Sequence, residues 1–290
     1  MHIIDAHNHP DFGGMDFKKI IANMDENGIA KTCLLSWESP TVDNRGSDLT
    51  ATPSPIDDSV AISFERCLAY YEKAPDRFIL GYAPDPRKPG AIQKMKAAIS
   101  IYGVRWCGEV KFRMMYDNPD AIDLFRFSGE NGLPVTLHMD YPVPNKSGVA
   151  YPRAHYWYGG SINTLENVLQ QCPDTKFLGH APGFWAHISN DDLGLTQSYP
   201  KGPVIPGGKI EEFLDKYPNL YCDCSAHSCL WALQRDVEYT KKLILQYPDR
   251  FLFARDMFDS DTMTFFDSLE LPEEVCEKFY HKNFEALIGG

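Results

Sequence analysis

Eight short apolar runs, separated by segments of helical period, constrain the fold of this 290-residue chain more than any other feature. They fall at 3–6, 32–36, 77–82, 108–112, 133–138, 176–180, 219–225 and 250–256, each about the length of a buried strand and too short for a helix. Between the first two, Phe17, Ile20, Ile21 and Met24 recur at helical spacing behind a capping Asp16 and before a terminating Gly28. Later spacing predicts helices near 59–74, 90–102, 119–131, from Ser161 as a cap, 209–217, 228–247 and 272–287. Strict strand–helix alternation calls for a parallel sheet, and eight units favour closure into a (β/α)8 TIM barrel, one domain over 1–290. An open doubly wound sheet is the alternative, but no G-x-G-x-x-G follows the first run.

The connections are unequal. Those after the second, fifth and sixth strands (about 37–58, 139–160 and 181–208) are long, while most helix-to-strand links are short. In a barrel the long strand-to-helix loops surround the site, at the C-terminal ends of the strands.

Those ends carry a pattern of polar residues. The first strand runs into His7 and His9, the fifth ends in His138, the sixth in His180 and the eighth in Asp256. Residues i and i+2 of a strand share a face about 6–7 Å apart, so His7 and His9 can converge on one ion. A single such histidine is more often a hydrogen-bonded core residue. Four histidines and a carboxylate on one rim are ligand types for a divalent metal, most simply Zn²⁺, as one or two ions. The fourth strand adds Glu109 and Lys111. Asp223 and Ser225 share a face of the seventh and either support the site or fill the barrel. Arg255 points away from Asp256 toward the helices, and His2 and His281 have no metal role.

Composition narrows the function. With 28 basic against 40 acidic residues the net charge is −12, and no Lys/Arg-rich run is present, which argues against nucleic acid as partner. No apolar run approaches the ~20 residues of a membrane span. The eight cysteines form no C-x-x-C pair, and no secretory signal precedes the first strand. A cytoplasmic enzyme acting on a small-molecule substrate is the expectation, with a homo-oligomer left open.

The ordered set I-I-D-A-H-N-H-P, L-P-V-T-L-H, F-L-G-H-A-P-G, L-Y-C-D-C-S, R-F-L-F-A-R-D and F-Y-H-K-N-F-E-A-L-I-G resembles the amidohydrolase superfamily of metal-dependent barrel enzymes. Within it, the chain is most similar to the branch that holds hydrolases beside aminocarboxymuconate-semialdehyde decarboxylase-like enzymes. The resemblance implies that His7, His9 and Asp256 ligate a first metal and that His138 is a further ligand. It makes His180 either a second-site ligand or an acid/base and substrate-orienting residue. Gly108-Glu109 and the fifth strand are similar to TatD-type nucleases, which makes Glu109 the preferred ligand over a carboxylated Lys111. The chain departs from relatives at Ala254-Arg255-Asp256, where many read Gly-Ser/Thr-Asp, and at His180-Ala181-Pro182-Gly183, where many read His-Gly-Gly.

The implied chemistry is hydrolysis of an amide, lactone or ester by metal-activated water, with Asp256 as general base and acid and His180 orienting the substrate. Non-oxidative decarboxylation of a small acid is the alternative. A TatD-like nuclease and a metal-free binding protein are the remaining ones. Lys111, Arg113 and Arg153 are the cations expected to meet the substrate. Trp37, Tyr151, His155, Trp157, Trp185 and His187 are either pocket-lining or loop-packing residues.

Overall fold

The computed structural model describes residues 2–40, 43, 60–140 and 157–289. Among these residues ten strands are present: β1 (Ile4–Asn8), β2 (Lys31–Leu34), β3 (Trp37–Pro40), β4 (Val60–Ile62), β5 (Phe78–Leu80), β6 (Cys107–Val110), β7 (Val135–His138), β8 (Phe177–His180), β9 (Leu220–Cys224) and β10 (Phe251–Phe253). Eight are parallel and follow one another around a ring. β1–β2–β5 form one ladder and β6–β7–β8–β9–β10 another. A bridge between Gly81 and Trp106 joins β5 to β6. The Asp256 amide, donating to the His7 carbonyl at 2.8 Å, joins the segment after β10 to β1. The chain therefore makes the expected parallel β/α barrel.

Ile4, Ala6, Cys33, Leu35, Trp106, Leu178, Leu252 and Ala254 pack together inside the ring with Phe284. The Phe284 ring stacks on Trp106 at 4.9 Å, so the C-terminal helical segment plugs the end where the strands begin. The larger apolar cluster lies outside the ring, between strands and helices. All eight cysteines are free, seven of them buried. Among the described residues no helix is long and apolar enough to cross a membrane.

Local chemistry sets the helix boundaries. The Asp16 carboxylate accepts from the Lys19 amide at 3.0 Å to start helix Phe17–Glu26, a cap worth about 1 kcal/mol. Ser161 occupies the N-cap position of helix Ile162–Gln171, but its side chain makes no capping bond. The helix predicted over 59–74 is shorter, Phe64–Tyr71, because Val60–Ile62 pairs antiparallel with Trp37–Pro40. Two β-branched residues in three, with a partner strand across from them, override helical spacing. The helix predicted over 228–247 is two helices, Ala226–Gln234 and Val237–Gln246. Asp236 breaks it by capping the Tyr239 amide at 3.0 Å.

Candidate metal centre

Two β-bulges aim the site. Between Asp5 and Asn8, β1 carries one more residue than the facing stretch of β2. Between Cys107 and Val110, β6 does the same against β7. An extra residue switches which face the following side chains occupy. Ile4 and Ala6 thus pack in the barrel interior, yet His7 and His9 turn inward above them. Trp106 lines the interior and Glu109, past the bulge, meets His9 and His138. On β7, β8 and β9 plain alternation is enough, placing His138, His180, Asp223 and Ser225 above the floor residues.

The ligand-type atoms form two groups. His7 Nε2 and His9 Nε2 are 3.2 Å apart, and Asp256 Oδ1 lies 3.8 Å from the first and 3.4 Å from the second. Glu109 Oε2 is 3.4 Å from His9 Nε2. On the other side, His180 Nε2 is 3.6 Å from Glu109 Oε1 and 3.5 Å from Asp256 Oδ2, and His138 Nδ1 is 2.5 Å from Glu109 Oε1. Each of the two carboxylates therefore offers one oxygen to each group.

The outer ring nitrogens are tied down. His7 Nδ1 bonds Asp223 Oδ2 at 2.8 Å, His9 Nδ1 donates to the Leu35 carbonyl at 2.8 Å, and His180 Nδ1 meets Ser225 Oγ at 2.9 Å. A carbonyl can only accept, so the proton of neutral His9 is on Nδ1 and its Nε2 lone pair faces the centre. Tethering of this kind orients metal-ligating histidines. Asp5 anchors the strand beneath by accepting from the Arg255 amide and Nε, both at 3.0 Å. Arg255 reaches Asn23 on helix Phe17–Glu26, the outward direction expected for it.

The electrostatics demand positive charge. Burial alone would lower the basicity of His7, but Asp223 and Asp256 outweigh it and carry the pKa up to about 10. Burial likewise opposes His9, and the adjacent Asp256 and Glu109 carboxylates raise it on balance. Burial would raise Glu109, yet Lys111 and His138 hold it well below the usual carboxylate range. Asp256 is held down in the same way by His7, His180 and His9, and Asp223 by His7 and His180. Burial and Lys111 push His138 down to about 3, so it is neutral against ionised Glu109. Three closely spaced carboxylates with little access to water are costly unless positive charge, from protonated His7 or a bound cation, joins them.

The donor set fits divalent ions. Bonds of 2.0–2.2 Å at tetrahedral to octahedral angles separate neighbouring ligand atoms by roughly 2.8–3.6 Å. Six of the seven spacings given above, from 3.2 to 3.8 Å, match or adjoin that range, the exception being His138 Nδ1 to Glu109 Oε1 at 2.5 Å. His180 Nε2 and Glu109 Oε2 are buried without a hydrogen-bond partner, as donors kept for an ion would be.

The structure thus brings together His7, His9, Glu109, His138, His180 and Asp256, and separates Lys111 from them. The Lys111 ammonium sits 3.6 Å from the centre of the Trp37 ring and 5.6 Å from that of Tyr158. Arg113 is half-buried just beyond it, and Trp157 is half-buried beside Tyr158, whose ring meets the edge of His138. Arg153, His155 and Tyr151 lie outside the described residues. Trp185 is a packing residue, fully buried with Nε1 donating to the Asp223 carbonyl at 3.2 Å. His187 borders a separate cavity of about 360 Å³, between the loop after β8 and the start of helix Ile162–Gln171. The Leu35 carbonyl and the bulges went unread because backbone groups leave no residue signature. Asp223 and Ser225 did leave one, their i, i+2 spacing at a strand end.

A parallel barrel bearing a histidine–carboxylate cluster at the C-terminal ends of its strands defines a class of protein, and the sequence match gives it a family. The chain belongs to the amidohydrolase family, whose sequence profile matches residues 4–289. Among curated proteins none matches the chain. Solved structures with a similar fold include an uncharacterised TIM-barrel protein from Bordetella bronchiseptica, at 17% identity and TM-score 0.68, covering 100% of both chains. A 5-carboxyvanillate decarboxylase from Novosphingobium aromaticivorans, with bound manganese, is 16% identical at TM-score 0.62, covering 100% of this chain and 97% of that one. A probable 2-pyrone-4,6-dicarboxylic acid hydrolase from Acinetobacter baumannii is 12% identical at TM-score 0.60, covering 100% of both. At such identities the likeness is one of fold.

Proposed function

We propose that this protein is a metal-dependent hydrolase of a small molecule, cleaving an amide, lactone or ester bond with a water molecule activated at the strand ends. The observation that carries the reading is the pair of ligand groups sharing both oxygens of Glu109 and Asp256. His7, His9 and Asp256 would hold one divalent ion, His138 and His180 the other, with Glu109 between. The nitrogen-rich set suits zinc. When bound, the ions supply Lewis acidity and bring the pKa of water at the centre toward ~7.

The chain's own groups do the rest. Asp256 keeps 16% of its side chain exposed, against 1% for Glu109 and for Asp223. It is the carboxylate that meets both solvent and substrate, and it accepts the proton of the attacking water and returns it to the leaving group. His180, oriented by Ser225, presents Nε2 beside Asp256 and steadies the substrate oxygen.

Metal analysis of the purified protein, with assays on lactone, amide, ester and aromatic carboxylate panels before and after chelation, tests this. Two equivalents of divalent metal, one lost in Glu109→Gln, and chelator-sensitive hydrolysis are expected. Metal-free active protein, or CO2 release without hydrolysis, overturns the reading.

A further inference from the structure

Past β6 the chain presents two cations two residues apart, Lys111 and Arg113. Val110, Phe112 and Met114 turn into the buried apolar shell. Glu109 is in the cluster, Lys111 follows two residues on beside Trp37, and Arg113 stands in the next turn, which the Met114 amide closes on the Phe112 carbonyl at 2.9 Å. Lys111 is 6% exposed, its ammonium resting on the Trp37 face and 5.6 Å from the Tyr158 ring, which in turn lies 5.3 Å from that of His138. It forms no salt bridge with Glu109, although its charge acts on it. In Arg113, Nε and Nη2 are shut off from solvent and have no hydrogen-bond partner.

Arg113 stands apart in this respect. Among the described residues every other arginine donates to a carboxylate or a main-chain carbonyl. Arg66 holds Asp11, Arg77 the Ala30 carbonyl, Arg87 Asp85, Arg105 the Ile288 carbonyl, and Arg126 the Gln171 carbonyl. Arg235 holds Asp191, Arg250 the Leu220 carbonyl, and Arg255 Asp5. The chain carries twelve more acidic than basic residues, so a guanidinium left unpaired is not for want of carboxylates. A partly desolvated cation without a counter-charge costs stability, and its planar fork of donors matches a carboxylate.

We propose that the substrate is an organic acid whose carboxylate, remote from the bond that reacts, is held by Arg113 and Lys111, with the rest of the molecule lying over Trp37 toward the metal centre. This rests on the site assigned above as the place of reaction. The clamp is separate from the ligand cluster, so it holds an anion whether or not metal is bound.

Ligand-observed NMR with benzoate and neutral benzamide as probes tests the clamp, on protein as purified and after chelation. Benzoate is expected to bind about tenfold or more tightly than benzamide in both states. Arg113→Met and Lys111→Met each remove that preference, and Arg113→Lys restores part of it. Arg113→Met is also expected to raise Tm, by roughly 2–4 °C, because a half-buried charge without a partner is gone. Equal binding of the two probes, binding that vanishes on chelation and ignores both variants, or a lowered Tm in Arg113→Met would each overturn the clamp. If the protein holds no metal but the variants still abolish the preference, the clamp stands and the metal reading falls.

Discussion

Arg255→Met tests how the barrel is closed behind the site. Arg255 and Asp5 are 3% and 0% exposed, and their carboxylate–guanidinium contact is 3.0 Å. Asp5 also accepts from the Arg255 amide at 3.0 Å, Asn8 Nδ2 at 3.1 Å and the His7 amide at 3.3 Å. Methionine keeps the apolar volume and removes the charge, leaving a buried carboxylate with neutral donors only. Breaking a buried pair from one side costs about 3–5 kcal/mol, or a fall in Tm of roughly 5–8 °C for a chain of this size. Asp5→Asn alone should cost a comparable amount, by leaving the guanidinium with Asn23 as its side-chain partner. The double variant should cost less than the two summed, with a coupling of about 1.5 kcal/mol or more. Urea unfolding of the four proteins measures the cycle. Additive losses, or a cost below about 1 kcal/mol for Arg255→Met, would refute the claim that this pair holds β1 against the segment after β10.

Three further outcomes are expected. Asp223→Asn keeps an acceptor for His7 Nδ1 but removes the charge, and should weaken metal binding about 10–100-fold in a chelator competition. Wild-type affinity would show that Asp223 only fills the barrel. Ala181 sits at φ 76°, ψ 175°, a backbone region open to glycine, so Ala181→Gly should stabilise the protein by about 1 kcal/mol in denaturant titration; no gain would mean the strain is absent. Burial and Lys209 push His187 down to about 4, so the fold favours its neutral form. Its contribution to stability is complete above the unfolded value of 6.5 and is lost as pH falls through 4, at most about 3 kcal/mol. Unfolding at pH 7 and pH 4 should show a smaller drop for His187→Gln than for wild type, and equal drops would refute this.

Much of the fold was legible because alternation is a local property. Val135-Thr136-Leu137-His138 and Phe177-Leu178-Gly179-His180 declare their strands and their rim histidines without reference to any other part of the chain. The antiparallel pair of Trp37–Pro40 with Val60–Ile62 was hidden, because Val60 and Ile62 suit either element until a partner strand is present. Strand spacing placed Glu109 and Lys111 together. It could not say that one reaches His9 and His138 while the other rests on Trp37.

By itself the sequence determined the eight-unit barrel and which strand ends carry histidine and carboxylate, since periodicity and residue type are written along the chain. Tertiary structure decided which of those groups meet. A bulge exists only relative to a partner strand, so the inward turn of His7, His9 and Glu109 depends on register against β2 and β7. The tethers from Asp223, Leu35 and Ser225 join residues 26 to 216 positions apart, and only closure of the ring brings them within hydrogen-bond reach.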